Sequence, residues 1–115
     1  MTPGNLLMQM GFPKGTAYRY LAQRVIRVSI DEEGYEYLSD TEIEIARAAA
    51  ALRKAGCQKP LEFLARLRQM STARREATLK RAVVFVSGGR RHVAEGPAEI
   101  PLTCQPHNIQ LLADL

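Results

Sequence analysis

"MGFPKGTAYRYLAQRVIRVSIDEEGYEYL", residues 10–38, changes its period halfway along. Up to residue 23 the spacing is helical. On a wheel Ala17, Tyr20 and Leu21 cluster on one side, and Lys14, Gly15, Tyr18, Arg19 and Ala22 on the other. From residue 25 onward Val25, Ile26, Val28 and Ile30 are β-branched, and Arg27 and Ser29 alternate with Val28 and Ile30. Asp31-Glu32-Glu33-Gly34 reads as a turn, and Tyr35 to Leu38 as a return strand. The spacing predicts a helix over about 13–23, opened by Pro13, then a hairpin over 25–38.

The neighbouring segments fit around that pair. Thr2-Pro3 reads as an N-cap and first helical residue, Leu6, Leu7 and Met10 share a face, and Gly11 is a stop. Two helices joined by a tight turn, the second with a basic outer face, form the pattern of a helix-turn-helix, and the hairpin after it is placed as a wing. Ser39 with Glu42 is a capping box. The helix it opens has an apolar stripe of Ile45, Ala48, Ala49 and Leu52, basic Arg53 and Lys54 near its end, and Gly56 as its stop. Pro60 opens another helix, with Leu61, Phe63, Leu64, Leu67 and Met70 as bulk. It continues, or restarts near Ser71, through "TARREATLKRA". In the last third, "AVVFV" and "RRHVAE" read as strands joined by Gly88-Gly89. "AEIPLTC" reads as a third short strand, and Pro106 as the start of a last helix through Leu111 and Leu112.

A chain of 115 residues can bury one modest core. Its 16 Lys and Arg against 12 Asp and Glu give a net charge of +4, compatible with a polyanionic partner. The distribution says more than the total. Residues 1–30 hold Lys14, Arg19, Arg24 and Arg27 and no acid, while residues 31–45 hold seven acids and no base. Residues 46–91 then hold twelve bases and only Glu62 and Glu76. Two cysteines make no disulfide framework, and no apolar run is long enough for a membrane span, so a cytoplasmic, nucleoid-associated location is expected.

The ordered set of residues resembles the DNA-binding domain of MerR-type winged-helix regulators over about residues 3–70. Gly11, Thr16 and Tyr20 match the family's first helices. Gly34, Tyr35, Tyr37, Ser39, Leu52 and Gly56 match its wing and following helix, and "PLEFLARL" the helix after that. Two departures stand out. Glu36 occupies the wing position where the family usually has a phosphate-touching Arg, and Tyr18 stands where an Arg usually follows Thr-x. The long coiled coil and effector domain of a typical member have no counterpart in the remaining 45 or so residues, so ligand sensing of the usual kind is not implied.

The fold class expected is mainly α with small β: a MerR-like winged helix-turn-helix over 1–70, then a short helix and a β-hairpin-containing tail over 71–115 for dimerisation or partner binding. The function implied is sequence-specific binding of double-stranded DNA by a homodimeric transcriptional regulator or DNA-architecture factor. A protein-interaction module, or a phage or plasmid excisionase or partition adaptor, is the alternative. The DNA-binding set is Lys14, Gly15, Thr16, Tyr18, Arg19, Arg24, Arg27 and Tyr37. A guanidinium at Arg19 can bind guanine in a fork, Lys14 suits a phosphate, and Gly15 and Ala22 permit close approach. Tyr35 and Tyr37 share a strand face and read first as packing residues that fasten the wing, and Tyr20 reads as core. Arg74, Arg75, Lys80 and Arg81 read as a solvated basic face or a phosphate contact. Cys104-x-x-His107 with His92 lacks the paired cysteines of a metal site, so no metal or other cofactor is expected. No Gly-rich phosphate loop, nucleophile elbow or His-Glu-x-x-His occurs, so no enzyme is expected.

Overall fold

The computed structural model describes residues 1–57 and 60–115. They form an α and β protein with five α-helices and two small antiparallel sheets. The chain divides into two compact units, Met1–Ala50 and Ala51–Leu115. The division falls inside a helix, and the "PLEFLARL" segment belongs to the second unit, not the first.

In the first unit α1 spans Pro3–Gln9 and α2 spans Lys14–Ala22. The Thr2 hydroxyl accepts the Asn5 N–H at 3.2 Å and Pro3 fills the first helical position, as its sequence signals require. Pro13 is the cap of α2 and not part of it. Leu7, Phe12, Ala17, Ile26, Leu38 and Ile45 are buried. Tyr20, expected in the core, is half-buried, with its ring tilted on Phe12 at 5.3 Å between centroids.

The hairpin is much shorter than its β-branched run suggests. β1 is Ser29–Ile30 and β2 is Glu36–Tyr37, in register Ser29 to Tyr37 and Ile30 to Glu36. The Asp31 carboxylate accepts the Glu33 and Tyr35 N–H groups, both at 2.9 Å, and so forms the turn. The packing role expected of Tyr35 and Tyr37 is corrected: they are 68% and 45% exposed. A ribbon two residues long offers little surface for them to pack against. The base of the hairpin is held otherwise, by buried Ile26 and Leu38 and by the Glu42 carboxylate, which accepts the Arg27 N–H at 2.7 Å. Glu42 lies in the first turn of α3, Asp40–Lys54, where its own N–H donates to the Ser39 hydroxyl at 3.2 Å.

The second unit contains α4 (Leu61–Gln69) and α5 (Thr72–Arg81). Helix restarts rather than continues because the Ser71 hydroxyl accepts the Arg74 N–H and caps α5. Phe63, Leu64 and Leu67 are buried, whereas Leu61, expected as bulk, is 52% exposed. Arg75 is likewise corrected: it is 2% exposed, and its guanidinium donates to the Leu67 carbonyl at 3.0 Å and the Met70 carbonyl at 2.8 Å. Both carbonyls lie at the C-terminal end of α4, where the Leu67 carbonyl also accepts the Met70 N–H at 3.1 Å.

β3 (Val83–Ser87) and β4 (Arg90–Ala94) are the predicted hairpin. Gly88 and Gly89 both have positive φ, 61° and 73°, the two-residue turn that matches the strand twist. The expected third strand, "AEIPLTC", is absent there. Pro97 and Pro101 remove ladder donors, and the segment folds into a 3-10 turn at Pro97–Glu99 and further turns. The expected last helix is also corrected. A 3-10 turn at Pro106–Asn108 leads into β5, Ile109–Leu111, which pairs antiparallel with β3. A third 3-10 turn spans Leu112–Asp114. The sheet order is β4-β3-β5, and Val83, Phe85 and Ala94 form a buried cluster with Ile100, Cys104 and Ile109 against it.

Candidate functional site

The outer side of α2 carries the features that the sequence singled out. Lys14, Gly15, Tyr18, Arg19 and Ala22 are all exposed, and Thr16 is half-buried at the margin. Ala17 on the opposite side is fully buried. A side chain added at Gly15 would meet nothing within 4 Å, so the backbone there is open to close approach. The Arg19 guanidinium lies 6.0 Å from the Tyr20 ring centroid. That weak cation–π contact tilts it without removing it from solvent.

Tyr18 is less free than its position suggests. Its ring lies back on α1: a Cβ built at Gly4 would sit 3.1 Å from the ring edge. Gly4, which sequence reasoning passed over, is therefore the residue that lets the tyrosine lie down. Tyr18, Gly4, Leu21, Val28 and Glu36 line a shallow groove of about 570 Å³. Glu36 therefore places an acid at that groove. The cationic end of the face is the Lys14–Arg19 end.

Arg24 shows a feature that the sequence does not announce. It has φ 58°, and among the described residues it is the only non-glycine with positive φ. Its N–H donates to the Leu21 carbonyl at 3.2 Å, and the Val25 N–H to the Tyr20 carbonyl at 2.9 Å. Those two bonds define a Schellman stop, whose left-handed position is normally glycine. The left-handed conformation costs an L-residue about 1–2 kcal/mol. Arg24 is exposed, as is Arg27, whose backbone rather than side chain is the group fixed by Glu42.

The structure therefore brings Lys14, Gly15, Tyr18 and Arg19 together on one helix face. Arg24 follows at that helix's end, and Arg27 and Tyr37 lie at the hairpin. Cys104, His92 and His107 do not converge, and no cluster of three metal-ligating side chains occurs among the described residues. No described helix is long and apolar enough to cross a membrane. The chain matches no protein-family model, no curated protein and no solved structure.

Proposed function

We propose that the first unit binds double-stranded DNA as a MerR-like winged helix-turn-helix, in a homodimeric regulator or architectural factor. α2 would lie in the major groove and the hairpin along the backbone. The observation that carries this reading is the split of α2 into a buried apolar side and a wet side bearing Lys14, Gly15 and Arg19. The wet side is also open to close approach at Gly15, where an added side chain would meet nothing within 4 Å. The strained Arg24 supports the reading independently. Glycine would fit its backbone at lower cost, and Arg24 instead places an exposed guanidinium at the end of the same helix.

Arg19 is assigned to base edges, Lys14, Arg24 and Arg27 to phosphates, and Gly15 and Thr16 to close approach. Tyr18 and Tyr37 add sugar or phosphate contacts. The test is salt titration of duplex binding by Lys14→Ala, Arg19→Ala and Arg27→Ala. Each lost phosphate contact lowers the salt slope by about one unit, and loss of a forked base contact relaxes specificity at one position by about 1–3 kcal/mol. Unchanged affinity and slope in all three would remove α2 as the reader.

A further inference from the structure

β3 is the central strand of the C-terminal sheet, so β4 and β5 each have an outer edge. The β4 edge is met at Arg91 by a parallel bridge from Cys57. The β5 edge meets no other strand among the described residues. The Leu112 N–H donates to the Ala82 carbonyl at 2.9 Å, which sets the phase of the β3–β5 ladder. Bonded pairs fall at 82/112 and 84/110, so Ile109 and Leu111 turn their backbone groups away from β3.

One of those four outward groups is already used: the Ile109 N–H closes the 3-10 turn on the Pro106 carbonyl. Among the others are an acceptor, the Ile109 carbonyl, and a donor, the Leu111 N–H. These two lie two residues apart on one edge. The strand reads Ile-Gln-Leu, with no charge, no proline and no bulge, the devices that keep an exposed edge from pairing. Leu111 is 43% exposed although it stands opposite buried Val83.

We propose that β5 pairs antiparallel with β5 of a second copy of this chain, about a two-fold axis through Gln110. Each Ile109 carbonyl then accepts the Leu111 N–H of the other copy. A two-fold contact requires a patch that complements itself. A donor and an acceptor equally far from the axis, on an uncharged strand, meet that requirement. Ile109 of one copy comes beside Leu111 of the other, on the sheet face that carries Val83 and Phe85, and so extends that apolar cluster. This pairing supplies the dimer contact of the function proposed above, and its biological use rests on that reading although its formation does not. Three residues a side make a small contact, so the association is weak and concentration-dependent.

Sedimentation of the full chain from about 1 µM to about 1 mM tests this, a span covering weak equilibria. The wild type should pass from monomer to dimer. Leu111→Pro is the key variant: φ at Leu111 is −67°, proline's own value, and the lost N–H meets no backbone acceptor outside its strand among the described residues. It should stay monomeric, at least tenfold weaker, with an unchanged urea midpoint. Gln110→Glu and Gln110→Lys, at an exposed position, should each dimerise less alone through like charges on the axis, and a mixture of the two should recover. A wild type monomeric throughout, a Leu111→Pro chain that dimerises like wild type, or charge variants with no effect would overturn the proposal. Duplex binding by the same samples separates the two ideas. A β5 dimer that ignores DNA sinks the DNA reading alone, and duplex binding by a strictly monomeric chain sinks the edge pairing alone.

Discussion

Replacing Arg24 with glycine should make the protein more stable and a poorer DNA binder. The backbone at residue 24 sits at φ 58°, held there by the two bonds of the Schellman stop. For an L-residue that conformation costs about 1–2 kcal/mol, and a glycine avoids it. Glycine also gives the unfolded chain more freedom, which takes back about 0.5–1 kcal/mol. The net gain is about 0.5–1 kcal/mol, read as a higher urea midpoint at unchanged m. Arg24 is exposed, so truncating its side chain removes no core contact that would offset the gain. In duplex titrations the same variant should lose about one unit of salt slope, because one cation no longer releases its counterion. Arg24→Asn, a neutral residue that tolerates the left-handed region, should show the same loss of slope with a smaller stability gain. A less stable Arg24→Gly protein would refute the strain argument. A more stable one with wild-type affinity and slope would show that the guanidinium does not serve DNA.

Glu42→Ala should cost about 2 kcal/mol in urea unfolding, because it strands the Arg27 N–H from its charged acceptor, and Glu42→Gln about 1, since an acceptor remains. If Glu42→Ala unfolds within 0.5 kcal/mol of wild type (a roughly neutral surface change), the bond does not hold the hairpin. Arg75→Ala should cost about 3 kcal/mol and Arg75→Lys about 1–2, because a lysine cannot span the Leu67 and Met70 carbonyls as the fork does. Equal stabilities for Lys and Arg would contradict that geometry. Burial raises the Cys57 thiol above its ordinary 9.0, against a smaller opposing pull from Arg91. The unfolded chain therefore loses this proton first as pH rises past 9.0, and folding stability should fall from there upward. Cys57→Ser should lack that alkaline decline in urea midpoints measured under reducing conditions, and an identical decline would assign it to other groups.

What could be read from residues alone followed from local chemistry. Thr2, Ser39 and Ser71 act as caps because a hydroxyl at a helix start has one obvious donor to meet. Gly88-Gly89 specifies its turn because few residue pairs accept two positive φ values in succession. The two sides of α2 were legible for the same reason, since the wheel fixes which positions point together. The failures turn on conformations or partners that the local pattern does not announce. "IQLL" after Pro106 has the composition of a short helix as much as of a strand, and only the open side of β3 decides between them. Arg75 carries the same side chain as exposed Arg74, yet the carbonyls that bury it lie five and eight residues earlier. Tyr35 and Tyr37 look like packing residues until the brevity of β1 and β2 leaves them nothing to pack on. Arg24 could not be read at all, because arginine carries no left-handed signal.

The charge distribution divides differently from the site. Residues 1–50 hold five bases against seven acids, and residues 51–115 hold eleven against five. The unit proposed to read DNA therefore has the less attractive field, and its acids lie on the hairpin turn, on β2 and in α3 rather than on α2. Charges more than a Debye length apart, about 8 Å at physiological salt, are largely screened from one another. At that salt Lys14 and Arg19 act mainly on what touches the α2 face. At low salt the screening lifts, the whole field of each unit is felt, and the excess of bases in residues 51–115 dominates the approach of a polyanion. Capture and reading thus separate by ionic strength. Neutralising α2 cations should change affinity and sequence preference at physiological salt, whereas exposed Arg74, Lys80 and Arg90 in the second unit should govern association rates chiefly when salt is low.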